Sequence, residues 1–425
     1  MTGSTRRPSG RLFGAGLALG MAAAGLAIAA GRRAERSARM GLVDWPTVGE
    51  MAEARLRRAR GALTASEVAA SDAAYAAAMR RVTPALEAHL GVALPGVVER
   101  AGAIDRAGWV HANVRVLARL FARVEGDVIA QILPPGVGGT RATIAAANRW
   151  ATTRQLGLML SFMGQRVLGQ YDIALLAAED EEPGRLLFVE ENIRQTAKTL
   201  DVDLDAFRTW IALHEATHAF EFEAHPWLRP YLSDRLEAQL AAFSHDVRGT
   251  SRDMVRGIAE SVRGKRDGHW MEAILGEDQR RMLRETQAIM SLLEGFSDHV
   301  MDEVGREIVP GHAAITAKFH RRREHRSRLE DAILRITGLD MKMEQYRRGE
   351  EFVSALGERA GPDALRRIWE SPETLPRAGE IEDPDRWIAR VMRGEEAASH
   401  VVDGRDAAGS PADGTPADAR AGAPS

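Results

Sequence analysis

The sequence contains no cysteine among its 425 residues. This absence excludes disulfide bonds and any metal site that depends on thiolate ligands. Histidine and carboxylate side chains would therefore have to provide the protein ligands of a bound metal ion. The lack of cysteine does not by itself assign the chain to either side of a membrane.

The chain also lacks a strong charge of either sign, because its net charge at pH 7 is −3. A balance of this size predicts no nucleic acid or other polyanionic partner for the whole chain. The basic run at residues 321–328 is typical of a solvated helix face, with an anionic partner or lipid surface as the alternative. The glycine-rich stretch 134–139 lacks the Lys-Ser/Thr pair of a P-loop, so we interpret it as a turn.

The amino terminus carries an uncharged run from Leu12 to Ala30, with arginines on both sides. This length can just span a bilayer core, but its many alanine and glycine residues make insertion marginal. Three interpretations of this segment are possible: an uncleaved membrane anchor, a signal peptide that ends near Ala29, or a soluble leader. We predict membrane association through residues 12–30, with a cytoplasmic location as the alternative.

No change of composition divides the middle of the chain. We predict a leader at 1–40, one large folded unit at 41–395, and a disordered tail at 396–425 that is rich in small and polar residues. Helical periodicity runs through most of the unit, and aromatic residues make up only 5% of the chain. The predicted fold class is mainly α with a small β-sheet (α+β), with helices at 48–59, 66–81, 106–122, 142–167, 235–247 and 315–336.

Two short apolar runs, 169–176 and 185–190, are separated by an acidic turn that ends in Pro-Gly. This pattern predicts a β-hairpin. An edge strand of such a hairpin can align an extended peptide by main-chain pairing, although a purely structural hairpin gives the same pattern.

The residues that carry most information are His214-Glu215-Ala216-Thr217-His218, an HExxH motif. We predict that the motif lies on a helix with Asp205 as N-cap, which runs to about Glu223 before Pro226. Histidines four residues apart project from one helix face and can bind one zinc ion, and the glutamate can take a proton from zinc-bound water. The alternative is an ordinary amphipathic helix whose two histidines form local hydrogen bonds and bind no metal.

The third zinc ligand has to be sought elsewhere in the chain. The spacing HExxHxxGxxH fails, because Glu221 occupies the glycine position and Ala224 the position of the third histidine. A predicted helix that begins near Glu277 presents Glu294 and Asp298 on one face, four residues apart. Glu294 is the candidate third ligand. The alternative is that Glu294 binds no metal and is a solvated or ion-paired carboxylate on the helix surface. The other candidate ligands on that helix are His299, Asp302 and Glu303.

The segment Glu294-Gly295-Phe296-Ser297-Asp298 resembles the ExxSD form of the gluzincin pattern, in which HExxH is followed by ExxxD. The resemblance implies that His214, His218 and Glu294 bind one zinc ion, that Glu215 is the general base, and that Asp298 supports His214. A residue that stabilises the oxyanion is not indicated by any spacing. The candidates near the motifs are Tyr171, His225, Arg229, Tyr231 and His299.

Several further segments look like those of one family: 42–45, 105–110, 210–229, 294–302 and 338–349. Together they resemble the zincin-like metallopeptidase family of zinc-dependent hydrolases, long catalogued as a domain of unknown function. The resemblance covers residues 41–395 and implies a zincin-like fold with a zinc site. Some members carry a label linking them to biosynthesis of a deazaflavin coenzyme, which we do not carry over as an activity.

Two functions follow as hypotheses. The first is a zinc metallopeptidase that hydrolyses the amide bonds of an unidentified peptide or protein. The second is a non-catalytic helical scaffold or binding protein, in which a fourth protein ligand closes a structural or relic zinc site.

Overall fold

The computed structural model describes residues 36, 40–132, 140–171, 184–245, 277–324 and 341–394 except 378. Most of these residues are helical, and three short strands form one sheet. The helices are α1 (Trp45–Leu56), α2 (Ala65–Leu90), α3 (Arg106–Ile132), α4 (Thr140–Gly164), α5 (Glu190–Leu200), α6 (Leu204–Glu223), α7 (Leu228–His245), α8 (Glu277–Ile308), α9 (His312–Glu324), α10 (Met341–Ala360), α11 (Pro362–Arg367) and α12 (Pro384–Trp387), which continues as a π-helix (Ile388–Met392). The predicted fold class is confirmed.

Side-chain caps set the starts of several helices. Thr64 accepts a hydrogen bond from the main-chain N–H of Glu67, whose carboxylate accepts one in return from the N–H of Thr64, so α2 begins with a capping box. Asp203 caps α6 by accepting from the N–H of Ala206 at 2.8 Å. The predicted N-cap, Asp205, was therefore wrong by two residues. The first helical residue is Leu204, so Asp205 already lies within the first turn. The predicted end of α6 at Glu223 is confirmed.

The sheet has the strand order β1-β3-β2, with β1 at Ala101–Ile104, β2 at Gly169–Tyr171 and β3 at Leu186–Val189. Strands β2 and β3 pair antiparallel, which confirms the predicted hairpin partners; residues 172–176 of the first run lie outside the described residues. Strand β1 was not predicted, and it pairs parallel with β3 in the register Ala101↔Leu186. Strand β2 is left at an edge of the sheet.

The helices pack in two apolar clusters on either side of β3. The larger cluster joins α2, α6, α8 and α10, and includes Phe188 of β3, whose ring stacks on Tyr75 at 4.3 Å. The smaller cluster joins α1, α3 and α4 and includes Val189. All four residues of β3 are buried, which explains why this strand is a continuous apolar run in the sequence.

Several expected boundaries lie outside the described residues. These include the leader 12–30, the tail 396–425, and the parts of two predicted helices at 246–247 and 325–336. Within the described residues, no helix is both long and apolar enough to cross a membrane. The proposed membrane association through residues 12–30 stays a prediction.

Helices α8 and α10 cross at glycine residues. A Cβ atom on Gly295 would lie 2.1 Å from the carbonyl carbon of Gly349, and one on Gly349 would lie 1.8 Å from the carbonyl oxygen of Ser291. Real Cβ atoms do not approach main-chain atoms so closely, so the crossing requires both glycines. Because Glu294 is the neighbour of Gly295, this crossing also positions the predicted third ligand.

We predict that Gly295→Ala lowers the free energy of unfolding by about 1–3 kcal/mol, as over-packing of a filled interface typically does. Denaturant unfolding of the purified protein measures the change. The matched control is Gly357→Ala on α10, whose new methyl group would lie at an ordinary 3.7 Å from Leu365 Cδ1. A Gly295→Ala variant as stable as the wild type would contradict the close crossing.

Candidate metal centre

The HExxH motif lies in the middle of α6, a helix whose sides are almost all buried. His214 and His218 are half-buried and project from one side of the helix, with ring centroids 4.7 Å apart. Their Nε2 atoms lie 3.3 Å apart. Two nitrogen ligands of one tetrahedral zinc ion, each about 2.05 Å from the metal, are separated by about 3.3 Å.

Helix α8 brings the third donor to these histidines. Glu294 Oε2 lies 4.0 Å from His214 Nε2. Donor atoms of His214, His218 and Glu294 all lie within 4.8 Å of one another, the only such group of candidate ligands among the residues that the structure describes. Two imidazoles and one carboxylate are a ligand set suited to zinc, so the residues present fit the predicted ion.

Other side chains orient the two imidazoles. His218 Nδ1 lies 2.7 Å from Glu221 Oε2, and His214 Nδ1 lies 3.0 Å from Ser297 Oγ and 3.2 Å from Met301 Sδ. Contacts at Nδ1 leave Nε2 of each ring for a metal ion and set the direction of its lone pair.

The group carries an excess of buried negative charge. Glu221 is fully buried, Glu215 is 6% exposed, and Glu221 Oε1 has no hydrogen-bond partner among the described residues. Burial raises the pKa of both carboxyl groups to about 7. Burial alone would lower the pKa of His218, but the adjacent carboxylates of Glu221, Glu294 and Glu215 raise it to about 10. A divalent cation would balance this charge, which is a second reason why the site suits a metal ion.

Glu215 lies between the candidate ligands and the edge strand β2. Its Oε2 accepts a hydrogen bond from the main-chain N–H of Tyr171 at 2.9 Å. The charges of His218 and Glu294 both influence its pKa, so its carboxylate is close to the donor group. A Cβ atom on Gly169 would lie 2.6 Å from both Glu215 Cγ and Oε1, so only glycine lets β2 approach this closely.

Which residue would stabilise an oxyanion stays a prediction, and each candidate has its own set of contacts in the structure. The Tyr171 hydroxyl donates to Glu223 at 2.8 Å, and burial together with that carboxylate raises its pKa. Arg229 is near Tyr171, and the Tyr231 hydroxyl accepts from Arg235. His225 Nδ1 lies 2.9 Å from the carbonyl oxygen of Glu221, and its ring stacks on Trp369.

The remaining candidates of α8 have separate surroundings. His299 lines a cavity of about 540 Å³ together with His225, Phe296, Glu303 and Trp369. Asp302 Oδ1 lies 4.0 Å from His312 Nε2. Asp298 is half-buried, directly after Ser297, and its support of His214 stays a prediction. Neither His225 nor His299 belongs to the group of candidate ligands found in the described part of the chain.

Two further residues of the candidate site, Glu221 and Ser297, contact the imidazoles although no sequence pattern predicted a role for them. Glu221 follows His218 by three residues, so it shares the face of the helix that carries the histidines. It entered the sequence argument only as a residue that breaks the longer histidine motif. Ser297 was noted in the ExxSD pattern without a role of its own.

A mainly helical fold that presents an HExxH pair and a third carboxylate beside a sheet edge defines the class of metal-dependent hydrolases. The sequence profile of the zincin-like metallopeptidase family matches residues 43–388. The chain belongs to this family. Membership implies a metal, usually zinc, for which His214, His218 and Glu294 are the candidate ligands.

A solved structure supports the same class. The chain is similar to a protein from Chloroflexus aurantiacus whose crystal structure is named provisionally as a hydrolase with a novel fold. The two chains are 33% identical, with a TM-score of 0.61, and the match covers 83% of this chain and 100% of the other. A search of curated proteins found no significant match. Together, the family and the solved structure support a hydrolase.

We predict that Glu221→Gln weakens zinc binding by about 10–100-fold, the usual effect of losing a group that supports a ligand histidine. The physical reason is that the neutral amide no longer increases the basicity of His218. Competition with a chromophoric chelator measures the affinity. The control is Glu358→Gln, at an exposed position of α10, which should bind zinc as the wild type does. Unchanged affinity in Glu221→Gln would contradict its orienting role.

Proposed function

We propose that this protein is a zinc-dependent peptidase in which Glu215 is the general base. The observation that carries the proposal is the position of the Glu215 carboxylate, held by the N–H of Tyr171 beside the donor group of His214, His218 and Glu294. A general base must lie within reach of both the water it deprotonates and the bond to be cleaved. A carboxylate between a metal site and a sheet edge meets both conditions.

His214, His218 and Glu294 would hold the zinc ion, with Glu221 and Ser297 fixing the two imidazoles. When bound, zinc supplies Lewis acidity, which lowers the pKa of water and polarises a carbonyl group. Glu215 then accepts the proton from the attacking water and delivers it to the leaving amine. Burial raises the pKa of the Glu215 carboxyl group, which makes its carboxylate a stronger base than an exposed one.

Strand β2 supports a peptide as the substrate. Among the described residues it pairs only with β3, so no described strand pairs with its outer edge. An extended peptide can add to such an edge by main-chain hydrogen bonds, and Tyr171 of this strand already contacts Glu215. A peptide bound along β2 would therefore pass the general base.

The ligand count favours a catalytic site over the alternative of a structural zinc clamp. A structural zinc ion has four protein ligands, whereas a catalytic one keeps one position open. Among the described residues, the candidate group contains three donors, and no further His, Asp or Glu joins it. This supports an open position for water.

We expect Glu215→Gln to reduce hydrolysis by about 10²–10⁴-fold, the usual contribution of a general base, while zinc stays bound at near one equivalent. Metal analysis and mass spectrometry of a digested peptide library measure the two properties. Glu307→Gln, at an exposed site on α8, is the control and should keep full activity. If the wild type binds zinc but cleaves no peptide, the scaffold hypothesis is preferred; an active Glu215→Gln variant would sink the assigned role.

We further expect Gly169→Ala to lower kcat while leaving zinc affinity near the wild-type value. The added methyl group would overlap the Glu215 side chain at 2.6 Å and displace it, and the atoms nearest to the methyl group all belong to Glu215 rather than to a candidate ligand. Steady-state kinetics on a library-derived peptide tests this. The control Gly49→Ala places its methyl group in open space, and its kcat should match the wild type.

A further inference from the structure

Helix α4 exposes large hydrophobic side chains along one side. Trp150 is 61% exposed, Ile144 56% and Leu158 50%, and the smaller Ala147 and Ala151 lie exposed between them. Among the described residues, only Met40 and Val92 are comparable exposed large hydrophobics. The spacing of Ile144, Ala151 and Leu158 places them on one face, along about 21 Å of helix at 1.5 Å per residue.

The opposite face of α4 already has its partners. Leu160 belongs to the smaller apolar cluster, and Gly157 lies against α1, where a Cβ atom would be 3.4 Å from Met51 Cβ. Arg149 forms an ion pair with Asp44 at 3.0 Å. The exposed face is therefore a second apolar surface, which the packing of this helix does not explain.

The charged side chains of α4 itself are all positive. Helix α4 contains no aspartate and no glutamate. The guanidinium of Arg154 lies 4.5 Å from the Trp150 ring centroid, and that of Arg166, just after the helix, lies 3.6 Å from the Phe162 ring centroid. Arginine beside exposed tryptophan and leucine is typical of helices that lie in the headgroup region of a bilayer with anionic lipids.

The chain enters the fold beside α4, and an uncharged run of sequence precedes this point. The N–H of Asp44 donates to Thr153 Oγ1 of α4 at 2.9 Å, so the chain enters the fold directly against this helix. Met40, four residues earlier, is 72% exposed. The uncharged sequence Leu12 to Ala30 precedes it by ten residues, a connection short enough to keep both features at one membrane surface.

We propose that the exposed face of α4 rests on the surface of a lipid bilayer that contains anionic lipids. Trp150, Ile144 and Leu158 enter the headgroup region, and Arg154 contacts the lipid phosphates. This contact is separate from the metal site and does not depend on the peptidase proposal.

The absence of cysteine makes a single fluorescent label straightforward. Full-length protein with Ala151→Cys carries an environment-sensitive dye in the middle of the face, and Glu358→Cys carries it on exposed α10 as the control. Each is mixed with phosphatidylcholine vesicles, with or without phosphatidylserine. We expect a blue shift and a several-fold rise in emission only for the label at 151, stronger with phosphatidylserine and weakened by salt. Ile144→Ser with Leu158→Ser in the same background should abolish the shift.

Three results would overturn the proposal. The protein could sediment with vesicles while the label at 151 stays in water, which would assign binding to the leader alone. The labels at 151 and 358 could respond equally, which would indicate non-specific adsorption. The label at 151 could be shielded without vesicles in a protein that sediments as a dimer, which would assign the face to a second copy of the chain.

Discussion

Buried carboxylates on α6 impose the main physical constraint on this structure. A carboxylate removed from water is costly unless protons, hydrogen-bond donors or cations compensate for it. Glu215 and Glu221 are both buried, and the described residues offer them only the N–H of Tyr171 and the ring of His218 as close partners. The histidines of α6 and the main-chain donors of neighbouring elements supply part of this compensation, and a bound cation would supply the rest.

The same helix carries a compensated charge at its other end. Arg208 of α6 is largely buried and forms an ion pair with the fully buried Glu190, which also accepts hydrogen bonds from Tyr75 at 2.5 Å and from Arg194 at 2.5 Å. These donors hold the pKa of Glu190 below its usual value despite its burial. Glu190 has several donors, whereas Glu215 and Glu221 have few, and raised pKa values such as theirs are typical of functional sites.

Two close approaches of the main chain bring the parts of the candidate metal site together. Gly169 lets strand β2 reach the Glu215 side chain, and the crossing of Gly295 with Gly349 sets the position of Glu294 on α8. Both contacts join segments that are distant in sequence. The candidate metal site therefore combines three segments, β2, α6 and α8, of which only α6 and α8 carry a recognisable motif.

Local pattern was enough to predict much of the fold. Apolar periodicity indicated the long helices, and β2 and β3 were indicated by two apolar runs around a turn. Strand β1 escaped prediction because Ala101–Ile104 has no strong alternation, and its pairing with β3 is a long-range contact. Helix ends were missed by several residues, as with Asp203 and Asp205, because capping depends on which side chain reaches an N–H group.

By itself, the sequence determined the candidate ligands: spacing four apart puts His214 and His218 on one helix face, and the resemblance of residues 294–298 to the ExxSD pattern indicated Glu294. Only the tertiary structure decided how those helices meet. It brought Ser297 to the His214 imidazole, directed the Tyr171 N–H at Glu215, and placed His225 and His299 beside a different cavity. The physical reason is that residue spacing specifies directions within one helix, whereas distances between helices follow from packing and from where glycine allows close approach.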